Sequence, residues 1–309
     1  MEARTRNRLS EHIKSVSLIG AGAVASSLGV ALAKAGYQID AVVSSWRHEA
    51  GRLAILLGAP VASDILADLP QSAIVFVCVP DDAIVSVAAE LAGLKTDWDG
   101  RLVAHTSGSR TASVMSGLGE LGAMVASFHP LQAFPHDGPI KGFEGIYVGI
   151  EGADRAVEAA SSVAELIGSI PVRVPTDQKM RYHLAAAVAS NFLATLMALV
   201  NELLGADGRA TEPGALGAHI FLPLVHETLS NIRDSSPEIA LTGPIARGDA
   251  GTVRLHIESL QSSNKHLVPV YAALATETVR AAVRGGHISA DVANAMLDVI
   301  AGTAFASEE

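Results

Sequence analysis

A single cysteine, Cys78, stands in 309 residues. No disulfide framework and no cysteine-based zinc site can be built within one such chain. Cys78 lies inside the apolar run AIVFVCVP, where a buried, inert thiol is the expectation. Aromatic residues make up 4% and charged residues 17%, against 49% apolar residues. That composition fits an aliphatic packed core and excludes a disordered chain. Positive charge is also short, with 22 Lys and Arg against 32 Asp and Glu and a net charge of −10. A general nucleic-acid partner, which needs a basic face, is therefore not expected. The first 14 residues, MEARTRNRLSEHIK, mix both charge signs without an apolar core, so they read as a tail and not as a signal peptide. The apolar run 184–200 is interrupted by Ser190, Asn191 and Thr195 and reads as a buried helix, not a membrane span. The expectation is a cytoplasmic protein with no membrane partner, long enough for two domains.

Glycine is plentiful where it matters most. Residues 15–37, SVSLIGAGAVASSLGVALAKAGY, read as a short buried strand, a glycine turn and an alanine-rich helix. The turn Gly20-Ala21-Gly22-Ala23-Val24-Ala25 is the G-x-G-x-x-A form of the dinucleotide fingerprint. Gly20 permits the tight turn, Gly22 lets backbone approach a pyrophosphate, and Ala25 lets the helix pack closely on the sheet. The helix N-terminus, at Ala23 and Val24, offers unpaired N–H groups to the phosphates.

The end of the next strand, 38–43, is where such a fold reads the adenosine ribose. Asp40 lies about 20 residues beyond Gly20 but falls in mid-strand. Ser44, Ser45 and Arg47 occupy the tip instead, with hydroxyl and guanidinium donors suited to a phosphate. NADP is therefore expected over NAD; the alternative reading of Arg47 is the solvated start of a helix over 48–58.

Further strands are predicted at 72–80, 101–106, 124–128, 146–150 and 172–174, with helices at 111–121 and 153–167 between them. The run SAIVFVCVP has the continuous apolar character of a parallel strand covered on both faces. Together these make a doubly wound α/β Rossmann domain over 15–175, after the tail 1–14. Such sheets bind ligands outside the carboxyl ends of their strands. Val79 and Pro80, Ser107 and His129 all fall at strand tips. Ser107 and Ser109 invite a nucleophile reading, yet no G-x-S-x-G elbow is present and capping of the following helix is the alternative.

From residue 176 the periodicity is helical almost to the end, giving an all-α domain over 176–309. Helices are predicted at 177–204, 214–233, 250–264, 269–283 and 289–301. Glycine and proline clusters at 207–214 and 236–248 separate them. On the first long helix Lys179, Ser190 and His183 fall at bearings of about 0°, 20° and 40°. Asn191 lies at the edge of this alanine-spaced stripe, which lets another body approach closely. Lys179, His183 and Asn191 are the catalytic candidates. His129 and Arg247, the latter in TGPIARGD before a helix that Asp249 can cap, are candidates for orienting substrate beside Ser107. The remaining histidines show no metal-ligand spacing, and no metal site is expected.

In order, GAGAVA, VFVCVPDDAI, VAHTSGS, SFHPLQAF, KMRYHLAAAVASNFL and LTGPIARGD resemble a family of Rossmann-like oxidoreductases whose second domain is labelled as of unknown function. The resemblance covers nearly the whole chain. It implies a second domain similar to the C-terminal domain of 6-phosphogluconate dehydrogenase, an architecture shared with pyrroline-5-carboxylate reductase, ketopantoate reductase and the β-hydroxyacid dehydrogenases. It also implies an active site between the domains and a homodimer formed through the helical domain. Lys179 resembles the lysine that the latter two groups carry on this helix. His183 stands four residues later where their spacing has asparagine, and Asn191 comes two turns on. The expected activity is NADP-dependent hydride transfer to a small carboxylate-bearing 2-oxo acid of the ketopantoate kind, with Lys179 or His183 as proton donor. Reduction of an imine of the pyrroline-5-carboxylate type is the first alternative, and a non-catalytic NADP-binding sensor the second.

Overall fold

A computed structural model describes residues 15–135, 139–205 and 216–304. The tail 1–14 and the glycine-proline cluster at 207–214 lie outside the described residues. By compactness the chain divides into two units, residues 1–192 and 193–309. Strands give way to helices near residue 175, whereas the division by compactness falls within the long helix that follows.

In the first unit, eight strands form one sheet in the order β3-β2-β1-β4-β5-β6-β7-β8. They are β1 (Ser15–Ile19), β2 (Gln38–Val43), β3 (Val61–Ser63), β4 (Ile74–Val77), β5 (Leu102–His105), β6 (Met124–Pro130), β7 (Tyr147–Gly152) and β8 (Ile170–Arg173). Helices α1 (Ala23–Lys34), α2 (Arg47–Leu57), α3 (Ile84–Gly93), α4 (Ser116–Glu120) and α5 (Asp154–Leu166) connect them. Every neighbouring pair runs parallel except β6 and β7. Among the described residues no helix intervenes between those two strands, and the chain returns antiparallel.

Why β4 is apolar throughout is seen in its packing. Ile74 and Phe76 join the core on one face of the sheet, and Val75 and Val77 join the core on the other. The chain thus alternates between two dry layers, as expected for a parallel strand covered on both sides. The short β3 is a strand that periodicity does not predict, because three residues carry too little pattern. Likewise 111–121 is not one helix but a 3₁₀ turn, Ala112–Met115, followed by the five-residue α4.

The long helix α6 (Lys179–Leu203) crosses from the first unit into the second. The second unit adds α7 (Leu222–Asp234), α8 (Ala250–Ser263), α9 (Val268–Arg284) and α10 (Ala290–Ala304). Val253 and Ile257 of α8, Ala272 and Val279 of α9, and Met296 of α10 form its core. Asp249 caps α8 as expected, accepting the Thr252 amide at 3.0 Å.

The expectation of a buried helix over 184–200 is corrected. Lys179 is the buried residue of α6, while Met180, Leu184, Val188 and Phe192 are each more than half exposed. By length and composition, residues 176–203 are apolar enough to cross a membrane. Hydropathy signals that such residues need cover but not what provides it. On the described chain the cover does not come from within.

Candidate active site

Two features meet at the carboxyl ends of the central strands. The first is a groove of about 1170 Å³ at the tips of β1, β2 and β4. Gly20 has φ +104° and hydrogen-bonds its amide to the Val43 carbonyl at 2.7 Å. A Cβ there would collide with the Cys78 carbonyl oxygen, so the tight turn requires glycine. At Gly22 a Cβ would meet nothing within 4 Å, leaving that backbone facing open groove. Gly22 is also the N-cap of α1, which has no side-chain cap and no acidic residue in its first turn. Its leading N–H groups are free for an anionic ligand. A pyrophosphate fits this cradle on chemistry and on space.

Of the residues assigned to cofactor binding, Gly20, Gly22, Ala23, Ser44, Ser45, Val79 and Pro80 line the groove. Val24 and Arg47 do not. Arg47 opens α2 and lies 3.6 Å from Asp64, with a largely exposed side chain. Arg52 lines the groove in its place, paired with Glu49 at 3.3 Å. Lys141 also lines it, with its amide donating to Ser27 Oγ at 3.1 Å. Neither cation is visible to a search confined to the β2 tip. Asp40 binds Ser72 and Gln38 in mid-strand, away from the groove.

The second feature is a buried polar cluster built by the tips of β5, β6 and β7 with the first turns of α6, all within the first unit. One polar residue stands in each strand, in cross-strand register: His105 pairs with Ser127, and Ser127 with Glu151. All three are buried. Lys179 reaches into this row and donates from Nζ to Ser127 Oγ at 2.6 Å. Ser127 Oγ in turn donates to the Ser107 carbonyl at 3.0 Å. Burial pushes the Lys179 ammonium down to about 8, against the pull of Glu151 and Asp81. Glu151 is held by the Ala112 amide at 2.6 Å and by the Thr176 hydroxyl at 2.8 Å.

His105 accepts the Ser107 amide on Nδ1 at 3.2 Å and faces the Thr111 carbonyl through Nε2 at 3.2 Å, so its neutral form carries the proton on Nε2. Burial holds it down at about 4. His129 lies at about 4 as well, lowered first by burial and then by the charges of Lys179 and His183. Its Nδ1 is 2.9 Å from the Tyr182 hydroxyl. His183 meets His129 edge to face with ring centroids 6.1 Å apart, and its buried Nδ1 has no hydrogen-bond partner among the described residues. Gly108 is what lets the two rings approach: a Cβ there would lie 2.6 Å from His183 Nδ1 and 2.7 Å from His129 Nε2.

Ser107 is not a free nucleophile. Its Oγ accepts the Ser109 and Arg110 amides at 3.2 and 3.1 Å and shapes the turn. Ser109 donates to Asp81 at 2.7 Å, tying the β4 tip beside Pro80 to the β5 tip. Burial raises the Asp81 carboxyl, but the bonds from Ser109 and Ser107 and the charge of Arg110 leave it below its ordinary value. Asn191, two turns beyond His183, is exposed, and Ser190 is too. Arg247 is exposed in the second unit, where the bonds from Thr252 first, and the Arg247 charge after them, lower Asp249. Lys179, His183, His129 and Ser107 are thus brought together. Of the other members, His105, Ser127, Glu151, Tyr182 and Asp81 are not among the residues that the sequence singles out. The available signal was a polar residue set within each of three largely apolar strands, His105, Ser127 and Glu151.

Residues 1–130 match the Rossmann-like domain family, and residues 146–278 match the domain of unknown function DUF2520. A Rossmann-like domain followed by a DUF2520 domain thus makes up most of the chain. Two solved structures similar to this DUF2520 protein span nearly their whole length on it. One is a candidate NADP oxidoreductase from Bacteroides fragilis, 25% identical with a TM-score of 0.70, covering 86% of this chain and 98% of that one. The other is protein TM1727 from Thermotoga maritima, 26% identical with a TM-score of 0.66, covering 87% and 98%. An imine reductase from Myxococcus stipitatus in complex with NADP+ shares the fold at 19% identity and a TM-score of 0.61, covering 92% and 99%. No curated protein matches the sequence.

Proposed function

We propose that this DUF2520 oxidoreductase uses NADPH to reduce a small carboxylate-bearing 2-oxo acid to its hydroxy acid. One juxtaposition supports the reading. Beside the groove that carries the fingerprint, Lys179, His129, His183 and His105 gather at the tips of β5 and β6. Groups that can meet a developing negative oxygen are what carbonyl reduction needs there.

The amides of residues 21–23 would hold the pyrophosphate, and Ser44, Ser45 and Arg52 the ribose end with its extra phosphate. Val79 and Pro80 would pack the nicotinamide side. When bound, the reduced nicotinamide supplies the hydride. The chain's own task is to orient the carbonyl and deliver a proton. Lys179 is a poor candidate for that delivery, because the Ser127 hydroxyl it faces already donates to the Ser107 carbonyl, and the relay ends there. His183, with a partnerless Nδ1, is the better proton carrier. Lys179 then acts through its positive field.

Steady-state oxidation of NADPH against a panel of 2-oxo acids, cyclic imines and aldehydes tests this. Turnover of oxo acids at least about 10-fold above the rest is expected. Preference for imines would shift the reading to the alternative that Asp81 favours, since a carboxylate kept ionised suits a positively charged iminium. Tight NADPH binding without any turnover would leave a sensor.

Cofactor choice has its own test. Arg52→Ala is expected to weaken NADPH binding about 10-fold and to leave NADH within about 2-fold, as loss of a charge-assisted phosphate contact requires. Arg47→Ala should change neither. Equal losses for both nucleotides in the Arg52 variant would contradict this assignment.

The reading includes a homodimer. No charged residue occurs from 182 to 201, and the exposed arc through Leu184, Val188 and Phe192 suits cover by a second copy. Light scattering should give twice the chain mass, and Val188→Glu should return it to one. A monomeric unsubstituted protein would remove this part.

A further inference from the structure

The Tyr182 ring is held in a way that the proposed reaction does not by itself explain. Its hydroxyl lies against Gly149, in the strand paired with His129, so closely that a Cβ on that glycine would collide with the phenolic oxygen. On its other side the hydroxyl sits 2.9 Å from His129 Nδ1. Two rings meet edge to face there, with centroids 5.5 Å apart and planes at 86°.

We propose that Tyr182 is a positioning residue, whose hydroxyl donates to His129 Nδ1 and so fixes neutral His129 as the tautomer with its proton on Nε2. The assignment follows from counting donors and acceptors. The phenol has one proton to give. Among the described residues, His129 Nδ1 is the acceptor within reach. If instead Nδ1 carried the proton, it would donate to the phenolic oxygen and the phenolic proton would be left without an acceptor among the described residues. Burial keeps Tyr182 protonated, at about 12, so the donor is present at every pH the protein meets.

The consequence is a directed N–H. His129 Nε2 points to the surface that Gly108 leaves bare, where His183 Nδ1 also arrives. Charges around the ring favour its neutral state: Lys179, His183 and His105 oppose protonation, and Asp81 alone favours it. A neutral ring with a fixed Nε2–H offers a hydrogen bond to a substrate oxygen without competing as an acid. The two imidazoles thereby divide the work, with His129 as donor and His183 as proton carrier. This division rests on the proposed reaction, but the tautomer does not.

The test is ¹⁵N-histidine NMR of the full chain near neutral pH, with the His129 signals assigned by their loss in His129→Asn. The unsubstituted protein is expected to show a proton on Nε2 and a bare lone pair on Nδ1. Tyr182→Phe should relax His129 towards a mixture of tautomers. It should also move its titration upward, because a bond made only to the unprotonated Nδ1 has been removed. Gly149→Ala, which displaces the phenol while keeping its hydroxyl, should do the same and serves where the first variant folds poorly. A proton on Nδ1 in the unsubstituted protein would overturn the proposal, as would an unchanged tautomer and titration in both variants. Turnover is a separate measurement: its absence counts against the proposed reaction, while the ring is read with or without a substrate.

Discussion

Lys179→Met is expected to produce a protein that is more stable and nearly inactive. The ammonium is almost completely buried, and its pKa falls from 10.5 to about 8. For a base the sign is clear. The unfolded chain holds the proton more tightly than the native one, so the charged side chain destabilises the fold at every pH below about 8. The full shift corresponds to about 3 kcal/mol, reduced by the lost bond to Ser127, so a net gain of about 1–2 kcal/mol near neutrality is expected. As pH rises from 8 towards 10.5 the native protein should recover this stability on its own, and the variant should show no such rise. Denaturant melts at several pH values read both effects. Turnover should fall about 100-fold or more, because the positive field beside the reacting oxygen is gone. NADPH affinity should stay within about 3-fold, since Lys179 does not line the groove. A destabilised variant with full activity would show that Lys179 is a structural ammonium and nothing more.

Gly20→Ala should fail at the fingerprint turn. The residue sits at φ +104°, where side chains are strained, and its Cβ would enter the Cys78 carbonyl oxygen. Backbone cannot yield as a flexible side chain does, so β1 and β4 must separate at their tips. A stability loss of about 2–4 kcal/mol is expected, with dinucleotide binding weakened about 100-fold or more. Binding is read by quenching of protein fluorescence at a temperature where the variant remains folded. Gly22→Ala makes the informative contrast. Its Cβ meets empty groove, so stability should hold while affinity drops, because the added methyl occupies the cradle for the phosphates.

How much of this was legible beforehand depends on distance along the chain. The fingerprint turn is local: Gly20, Gly22 and Ala25 state their backbone needs within six residues, and the strand-turn-helix formed around them. The alternating burial of β4 is local too. Lys179 and His183 could be proposed because a helix has a fixed period. Their partners could not, because Ser127 is 52 residues from Lys179 and Glu151 is 39 from Ala112. In an apolar strand a lone serine or glutamate looks like an interruption until the neighbouring strand is aligned with it. Register, not composition, made the row His105, Ser127, Glu151. The β2 tip shows the reverse error. Arg47 had the right place in sequence, yet the first turn of α2 sends it to Asp64, and Arg52 lines the groove instead. The exposed face of α6 escaped for a third reason, since hydropathy cannot distinguish cover within a chain from cover by another.

Hydride transfer from a dinucleotide in this groove to a carbon held at the polar cluster leaves an isotopic trace. Incubation with NADPH deuterated at the transferable C4 position, with a turned-over 2-oxo acid, tests it most directly. Mass spectrometry of the product should find the deuterium on the new carbinol carbon, with the label lost from the oxidised cofactor and no product formed by Gly20→Ala. Product free of deuterium, or label retained on the nicotinamide, would contradict the account.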